Sequence, residues 1–268
     1  MLIVAGSVTV LFKKVGSTVL SYFSALPYLL GYIGRIFESS IIFFHRDKSA
    51  HKVLIMQLLF TFIEALPIIA ILSVSLGSAV YIIGHSFLVS IGQGNLIYGL
   101  LAIFIVRELG PLLVAFVVTA RSATAIATEL GGMVTSHQIE SLVACGIDPI
   151  DYLVVPRFIG VTLSVFFLNL YFSLCGLLSP ALIAWFVNPA ASYGYLSNLL
   201  KAIPVFMIVT SLIKSLVFGM LISITATYYG FNVERASTEI PIAGIQAVTK
   251  SFFGIIIADV VIIVLSSL

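Results

Sequence analysis

The chain has 268 residues, of which 60% are hydrophobic and only 9% are charged, and its mean hydropathy is +1.20. A soluble globular domain carries about 25% charged residues, so this composition indicates a protein embedded in a lipid bilayer. The formal net charge of +2 gives no support for nucleic-acid binding. Cys145 and Cys175 are isolated and lack the spacing of a disulfide framework or a metal site.

Five apolar segments are long enough to cross a bilayer, since a membrane-spanning helix needs about 20 mostly apolar residues. The sequence therefore predicts an all-α membrane protein with about five transmembrane helices. The second and third segments exceed the required length and have room to tilt, kink or extend into the cytoplasm. The predicted spans cover roughly residues 61–84, 97–130, 153–186, 203–229 and 245–267.

The segment at residues 17–45 precedes the first predicted span and is also apolar, but charged residues interrupt it. Arg35 and Glu38 fall inside the segment, and a polar run follows it. Because charges are costly in hydrocarbon, an N-terminal interfacial helix is favoured, with a further span as the alternative. The predicted division is residues 1–52, a cytoplasmic or interfacial helical segment, and residues 53–268, a transmembrane domain.

Basic residues cluster near the N-terminus, and positive residues stay on the cytoplasmic side of a membrane. This bias predicts a cytoplasmic N-terminus, and five spans then leave the C-terminus on the outer side. The loop at 131–152 faces the cytoplasm in this arrangement, whereas the loops at 85–96 and 187–202 face outward. The basic cluster consists of Lys13, Lys14, Arg35, Arg46, Lys48 and Lys52.

The second predicted span carries a charged pair, Arg107 and Glu108, with Pro111 close behind it. Charges at membrane depth are costly and usually functional. Pro111 has no N–H, so the carbonyl of Arg107 lacks its helical donor and a kink is expected beside the pair. Two interpretations stay open: a polar spot in a cavity that meets a lipid headgroup or gates the path, or an internal salt bridge.

Apolar side chains recur at the end of the first span, at offsets 0, 7, 8 and 11, which share one helical face. Facing inward, they would line a pocket for acyl chains. Facing outward, they would only contact the bilayer, and the pattern alone favours this simpler interpretation. The four residues are Val80, Phe87, Leu88 and Ile91.

Small residues recur every four positions in the second span, at Ala123, Ala127 and Gly131. This spacing lets helix backbones approach closely and predicts a packing seam, within the chain or between two copies. Arg121 and Glu129 lie nearby, where mutual pairing or extension to the interface would satisfy them. Pairing or extension to the interface is also expected of Glu64, Lys214 and Asp259, the other ionisable residues in the spans.

The predicted cytoplasmic loop at 131–152 begins with two glycines, Gly131 and Gly132, which are expected to end the second span. Thr135 and Gln138 then match a capping box, the pattern that starts a helix. The sequence therefore predicts a short helix between the second and third spans.

This short helix has an apolar face formed by Ile139, Leu142 and Val143, and Gly146 is expected to stop it. Asp148 is placed to cap the next helix. A short helix held between two spans either lies on the membrane or receives force from another protein.

Motifs of catalysis and of nucleotide binding are absent from the sequence. It contains no P-loop, no Gly-x-Ser-x-Gly and no His-Glu-x-x-His, and its four histidines are scattered. The sequence therefore predicts no catalytic residues and no metal site, and it gives little support to an enzyme.

Several runs together form one recognisable pattern: Arg107-Glu-Leu-Gly-Pro-Leu-Leu113, Ala120-Arg-Ser-Ala-Thr-Ala-Ile-Ala-Thr-Glu-Leu-Gly131, His137-Gln-Ile-Glu-Ser-Leu142, Gly146-Ile-Asp-Pro149, Val155-Pro-Arg157, Leu212-Ile-Lys-Ser-Leu-Val-Phe-Gly219 and Ile257-Ala-Asp259. The pattern resembles the MlaE (YrbE) permeases, the membrane subunits of ABC transporters that work with MCE proteins. The resemblance covers roughly residues 55–268, and its most specific part is residues 107–157.

The resemblance implies a homodimeric transmembrane core that binds one ATPase subunit per copy on the cytoplasmic side. It also implies a hexameric ring of MCE-domain protein on the outer face, with a small STAS-domain protein as an optional further subunit. The cargo would be phospholipid or a similar membrane lipid. This chain would carry no cofactor, since ATP and Mg²⁺ belong to the partner ATPase. A bacterial inner membrane is the expected location, with the chloroplast inner envelope as the lesser alternative.

The resemblance also implies two sets of site residues. The lipid-binding cavity would be lined by Val80, Phe87, Leu88, Ile91, Arg107 and Glu108. The coupling helix seated on the ATPase would contain His137, Gln138, Glu140, Ser141 and Leu142, although His137 stands where the family commonly has Glu.

Three rival functions stay open beside the permease. An ion-gradient-driven secondary transporter of a hydrophobic substrate would use Glu64, Glu108 and Asp259 to relay protons. A membrane enzyme acting on lipid headgroups is the second rival, and a scaffold without transport activity is the third.

Overall fold

The computed structural model of the protein describes residues 27, 30–43, 48–187, 189–233 and 236–267. The regular secondary structure of these residues is helical throughout, with no β-strand among them. Long apolar helices satisfy every backbone group internally, as a lipid environment requires. The predicted all-α membrane fold is confirmed.

The helices follow one another with short connections. Two 3₁₀ turns, Gly94–Leu96 and Ser237–Glu239, precede longer helices, and three π-helical segments, π1 (Ala102–Leu109), π2 (Thr119–Ala123) and π3 (Ile150–Val154), interrupt the α pattern. The α-helices are α1 (30–43), α2 (Lys48–Ile63), α3 (Leu66–Ser90), α4 (Ile97–Leu101), α5 (Gly110–Val118), α6 (Thr124–Thr135), α7 (Gln138–Ala144), α8 (Val155–Val187), α9 (Pro189–Ala202), α10 (Val205–Phe231) and α11 (Ile240–Ser267).

Five helical stretches within the described residues are long and apolar enough to cross a membrane, as the sequence predicted. Spans 1 and 2 extend past both predicted limits and span 5 begins earlier than predicted, whereas spans 3 and 4 are shifted by a few residues. The predicted outer loop at 187–202 contains the helix α9 instead. We number these stretches span 1 (Lys52–Ser90), span 2 (Gly94–Thr135), span 3 (Ile150–Leu182), span 4 (Val205–Phe231) and span 5 (Ser237–Ser267).

The bundle has two ends that matter for function. The α9 end contains α9, the C-terminal end of span 1 and the N-terminal end of span 2. The α7 end contains the short helix α7, the close of span 2 and the start of span 3.

The chain divides into two units at Arg46, and the described residues of the first unit are 27 and 30–43. The described part of helix α1 covers residues 30–43. Most of the remaining predicted segment at 17–45 lies outside the described residues. The choice between an interfacial helix and a span therefore stays a prediction, as does the proposed domain boundary.

Span 2 is the central helix of the larger unit. Half of its most apolar window is buried inside the chain, against 17% for span 1 and 11% for span 5. Helix α8 packs against α2, α3 and α10, and α10 packs against α6 and α11. Buried side chains such as Ile105, Phe172 and Phe218 fill the space between them. Spans 1 and 5 consequently present most of their apolar surface outward.

The irregularity predicted at Pro111 takes the form of segment π1. The Gly110 N–H donates to the carbonyl of Ile105, five residues back, which is the π-helical pattern. Pro111 then falls in the first turn of α5, where a missing N–H is harmless. π-Helical turns occur mostly as single insertions at functional sites, and this one holds Arg107 and Glu108.

The predicted seam of small residues in span 2 lies within the chain. Ala123, Ala127 and Gly131 are buried. A Cβ atom added to Gly230 of α10 would lie 3.1 Å from the carbonyl oxygen of Ala127, so these two backbones touch. The absence of side chains thus sets the distance between α6 and α10.

Helices α3 and α8 make an even closer approach at Gly77 and Gly176. A Cβ atom on Gly77 would overlap the carbonyl oxygen of Gly176 and lie 2.5 Å from the Oγ atom of Ser179. Only glycine fits at this crossing, because the obstructing atom belongs to the backbone.

The substitution Gly77→Ala is expected to force α3 away from α8 and to lower the free energy of unfolding by about 1–3 kcal/mol, as overpacking does. Thermal unfolding of the detergent-solubilised protein, followed by circular dichroism, measures the loss. Gly99→Ala is the control, since a Cβ atom there meets nothing within 4 Å. Equal melting temperatures for the two variants would contradict this account of the crossing.

Candidate functional site

A cluster of four charged side chains lies inside the bundle, toward the α9 end. Lys214 of α10 is its centre: its Nζ atom lies 2.5 Å from the Oε2 atom of Glu108 and 2.8 Å from the Oδ1 atom of Asp259. The Nε atom of Arg107 lies 3.1 Å from the Oε1 atom of Glu108. We call Arg107, Glu108, Lys214 and Asp259 the charge cluster.

Three separate spans supply the charge cluster. Segment π1 of span 2 carries Arg107 and Glu108, α10 carries Lys214, and α11 carries Asp259. Arg107 also donates from Nη2 to the Oγ atom of Ser266, 2.9 Å away, so it ties span 2 to the end of span 5. The cluster therefore fixes the relative positions of spans 2, 4 and 5.

Burial explains why the charges occur together. The side chain of Lys214 is 0% exposed, and an isolated ammonium in such a place would lose its hydration without compensation. Two carboxylates face it, and Arg107 balances the second negative charge, so the cluster has no net formal charge. Arg107 and Glu108 are the more exposed members and form its accessible side.

Arg107 and Glu108 form a salt bridge with each other, which is one of the two interpretations that the sequence left open. The other two members of the cluster were not predicted to contact this pair. Lys214 and Asp259 were expected to pair or to reach the interface; they pair with each other, and Lys214 also pairs with Glu108. Sequence reasoning did not join them to the site. One feature of the sequence could have predicted that the four residues meet: each lies in the half of its span that is nearer to the α9 end.

Neutral polar side chains are buried on the neighbouring helices. The Nδ2 atom of Asn169 in α8 donates to the Oγ atom of Ser211 in α10 at 2.9 Å. Thr210 and Ser215 are also buried close to Lys214 in the sequence of α10. The interior of the bundle is therefore polar here, in contrast to the apolar surface that spans 1 and 5 present outward.

The four residues predicted to form one apolar stripe on α3 do not share an environment. Leu88 is buried in the core and Val80 is half-buried against it, whereas Phe87 and Ile91 are exposed. Leu88 therefore packs inside the single chain. The role of these residues in a lipid cavity stays a prediction.

Aromatic side chains gather at the α9 end. The ring of Tyr195 in α9 lies 5.5 Å from that of Tyr81 and 5.6 Å from that of Tyr98, and Tyr81 stacks on His85. The Tyr195 hydroxyl donates to the carbonyl of Leu177 at 2.9 Å. Burial raises the pKa of Tyr195 well above its usual value, so this phenol stays neutral. These contacts hold α9 against spans 1, 2 and 3.

The short helix α7 forms where it was predicted, but its start differs. Span 2 continues through both glycines to Thr135, whose hydroxyl donates to the carbonyl of Gly132 inside α6. Thr135 therefore does not cap α7. The N-cap is His137, in the left-handed conformation with φ of 58°, and its Nδ1 atom lies 3.0 Å from the Oε2 atom of Glu140.

The end of α7 agrees with the sequence prediction. Gly146 has φ of +76°, a conformation that glycine adopts without strain, and it stops the helix. The Ile150 N–H donates to the Oδ1 atom of Asp148 at 2.9 Å, which is the predicted cap of the next helix.

Only part of the predicted apolar face of α7 packs inward. Ile139 and Leu142 contact the core, whereas Val143 is exposed. The other predicted coupling residues, Gln138, Glu140, Ser141 and the cap His137, are exposed as well. Helix α7 thus rests on the bundle by two side chains and presents the remainder to its surroundings.

Arg121 and Arg157, toward the α7 end, each form an ion pair with an acidic residue of another span. Arg121 forms an ion pair with Glu64 of span 1, and its guanidinium lies 5.9 Å from the ring centre of Phe60. Glu129 pairs instead with Arg157 of span 3, at 2.8 Å from Nη2. The predicted mutual pairing of Arg121 and Glu129 is wrong, since each charge bridges to a different span.

Within the part of the chain that the structure describes, no group of three or more His, Cys, Asp or Glu side chains is placed to hold a metal ion. The fold and the charge cluster therefore define a multi-pass helical membrane protein whose distinctive chemistry is a balanced set of buried charges. Such intramembrane charges mark substrate pathways in transport proteins.

Residues 54–265 match the family model described as Permease MlaE. The chain is 28% identical over 208 residues to a probable ABC transporter permease protein of Rickettsia prowazekii, covering 78% of this chain and 80% of that protein. It is 23% identical over 240 residues to the intermembrane phospholipid transport system permease protein MlaE of Haemophilus influenzae, covering 89% of each.

The chain is also 36% identical over 176 residues to the chloroplastic protein TRIGALACTOSYLDIACYLGLYCEROL 1 of Arabidopsis thaliana. That match covers 64% of this chain but only 49% of the plant protein. The chain belongs to the MlaE permease family, because the family model spans most of its length. It is therefore a permease subunit of an ABC transporter, as the resemblance implied.

The substitution Lys214→Met is expected to lower the free energy of unfolding by about 3–5 kcal/mol, since it leaves two carboxylates facing each other without their shared cation. Adding Asp259→Asn should recover part of the loss, because Glu108 then keeps Arg107 as its partner. Thermal unfolding in detergent measures both variants. Lys201→Met, at an exposed lysine of α9, is the control. If Lys214→Met unfolded like this control, the cluster would not hold the spans together.

Proposed function

We propose that the chain is the permease of an ABC transporter that moves phospholipids or similar lipids between a bacterial inner membrane and an MCE protein. A separate ATPase supplies the energy, with ATP and Mg²⁺ bound there and no cofactor on this chain. The observation that carries the proposal is the charge cluster inside an apolar bundle of the MlaE family. The name of the Haemophilus influenzae relative refers to phospholipid transport, which supports the choice of cargo.

The charge cluster would act on the lipid headgroup. Acyl chains gain about 0.8 kcal/mol per buried CH₂ group, but the surrounding bilayer offers the same gain. Selectivity therefore requires polar contacts, and the partly exposed side chains of Arg107 and Glu108 can provide them. Lys214 is fully buried and would hold these two residues in position rather than touch the lipid.

The lipid cavity is proposed to form between two copies of the chain. Spans 1 and 5 present apolar surface outward, and a second copy would cover part of it. Phe87 and Ile91 would face the cavity directly, and Val80 and Leu88 would support its wall. The α9 end would face the hexameric MCE protein, which places the N-terminus in the cytoplasm and the C-terminus outside.

Helix α7 is proposed to be the coupling helix that receives the ATPase. It is anchored by Ile139 and Leu142, while Glu140, Ser141 and Val143 face away from the bundle. An anchored helix transmits a push to spans 2 and 3, between which it lies. A STAS-domain protein bound to the ATPase is an optional further subunit.

An ion-gradient-driven transporter is the second candidate, because Lys214 between two carboxylates resembles a proton relay. Glu64, the third acid of that hypothesis, is instead paired with Arg121 toward the α7 end. Lipid transport that continues in sealed vesicles without ATP, and stops when the proton gradient is collapsed, would favour this candidate.

The substitution Glu140→Lys is expected to weaken ATPase binding about tenfold or more, a change of about 1.4 kcal/mol, while the fold stays intact. The reason is that Glu140 is exposed on α7 and contributes little to packing. Co-purification of the tagged chain with its ATPase measures the effect. Glu239→Lys makes the same charge change in the 3₁₀ turn that begins span 5 and is the control. Undiminished ATPase binding by Glu140→Lys would remove this surface of α7 from the interface.

The substitution Arg107→Ala is expected to slow lipid transfer about tenfold or more, since one charge-assisted contact is worth about 1.5–3 kcal/mol. The ATPase should remain bound, because Arg107 lies far from α7 along span 2. Transfer of labelled phospholipid in reconstituted vesicles is the measurement, and Arg107→Lys, which keeps the charge, should retain part of the rate. If Arg107→Ala transferred lipid normally, the pair would be only a structural salt bridge.

A further inference from the structure

A groove of about 560 Å³ lies between α2, α6 and the start of α8, on the opposite half of the bundle from the charge cluster. This volume is in the range of small-ligand sites. Most of the lining is apolar, but a carboxylate and a guanidinium face it together. The lining residues are Val53, Met56, Gln57, Phe60, Ala125, Ile126, Thr128, Glu129 and Arg157.

The ion pair at the groove is unequal in its exposure. The side chain of Arg157 is only 5% exposed, whereas that of Glu129 is 52% exposed. A carboxylate offers about four acceptor positions, and the contact with Arg157 uses only part of them. Glu129 can therefore bind a second cationic donor from the groove without leaving Arg157.

Arg157 also retains donor capacity. Its Nη1 atom donates to the carbonyl of Leu153 at 2.9 Å, and its Nη2 atom contacts Glu129. Its Nε atom is buried and has no hydrogen-bond partner. A guanidinium carries five N–H donors, and these two contacts use only part of them, so Arg157 has donors left for an anionic group.

The depth of the groove matches the headgroup region of a bilayer. Span 2 has 42 residues and is about 63 Å long, more than the roughly 40–45 Å of a whole bilayer. Glu129 lies about 9 Å before the end of span 2, and Arg157 lies about 10 Å after the start of span 3. Both charges thus lie near the polar boundary of the hydrocarbon, and the apolar side chains of α2 lie beside them.

We propose that this groove binds one phospholipid with a zwitterionic, primary-amine headgroup, of the phosphatidylethanolamine type. The ammonium group donates to the carboxylate of Glu129, and the phosphate accepts from Arg157. One acyl chain runs along Met56 and Phe60, which are exposed apolar residues of α2. A free phosphate ion would leave this apolar surface uncovered, so the lining favours a lipid.

The bound lipid would join three spans at the α7 end. The groove is lined by residues of spans 1, 2 and 3, and α7 connects the last two of these spans. The site is distinct from the proposed transport cavity, since none of its lining residues belongs to the charge cluster. The proposal therefore does not depend on which lipid is transported, or on transport at all.

The test uses the full chain reconstituted without other subunits in vesicles that contain a phospholipid with a photoactivatable diazirine in its acyl chain. Phosphatidylethanolamine is compared with phosphatidylcholine, which has the same phosphate but no N–H donors, and with the anionic phosphatidylglycerol. Mass spectrometry of the cross-linked peptides locates the label. We expect phosphatidylethanolamine to label residues 53–60 and 125–129 about tenfold more than the other two, as one charge-assisted hydrogen bond allows.

Two variants and one control assign the labelling to the groove. Glu129→Gln should reduce phosphatidylethanolamine labelling to the level of phosphatidylcholine. Glu64→Gln is the matched control, because Glu64 is 46% exposed and paired with an arginine of span 2 but does not line the groove. Met56→Trp places a larger side chain in the groove while both members of the ion pair are kept, and it should lower labelling by every lipid.

Equal labelling by the three lipids, or labelling that Glu129→Gln leaves unchanged, would reduce the groove to a place of ordinary contact with bulk lipid and overturn the proposal. Should Glu129→Gln fail to fold, Met56→Trp decides: phosphatidylethanolamine labelling that survives this variant also overturns it. If a protein that copurifies with the chain blocked labelling by all three lipids when it was added to the vesicles, the proposal would be overturned and the groove assigned to a protein partner.

Discussion

The arrangement of the spans depends above all on one constraint: a fully buried lysine must have its charge neutralised. Lys214 has no access to solvent, so its charge is tolerable only with carboxylates in direct contact. Glu108 and Asp259 meet this need from two other spans, and Arg107 balances the remaining charge. Spans 2, 4 and 5 cannot shift relative to one another without exposing one of these groups to hydrocarbon.

The ion pairs toward the α7 end extend the same principle to the other spans. Arg121 links span 2 to span 1, and Arg157 links span 3 to Glu129 of span 2. Span 2 therefore takes part in each of these connections. It is also the most buried span and contains two of the three π-helical segments found in the described residues. A displacement of α7 would act directly on the helix that carries the accessible side of the charge cluster, which is the physical basis for coupling in the proposed transporter.

Local sequence patterns correctly predicted the features that depend only on residues close together in the sequence. The five spans were predicted from the length of the apolar segments. The end of α7 at Gly146 was predicted from the backbone conformation that glycine adopts easily. The cap at Asp148 was predicted because it needs only one hydrogen bond between residues close in sequence. The predicted capping box was wrong because a threonine hydroxyl can either accept a hydrogen bond from the N–H groups of the following helix or donate one to a carbonyl of the preceding helix. Thr135 donates to a carbonyl of the preceding turn, which extends α6 and leaves the cap to His137. Nothing in a sequence of four residues distinguishes these outcomes.

The amino-acid sequence by itself was enough to identify an all-helical membrane protein, its family, and the charged residues that lie within its spans. The tertiary structure alone decided which charges meet. Arg121 and Glu129 are eight residues apart yet pair with different spans, whereas Lys214 joins Glu108 from more than a hundred residues away. The tertiary structure likewise decided that Leu88 is buried and that Phe87 is exposed. Periodicity tells which side chains share a helix face, but the partner of that face depends on how the helices cross, and close backbone approaches such as Gly77 against Gly176 set those crossings.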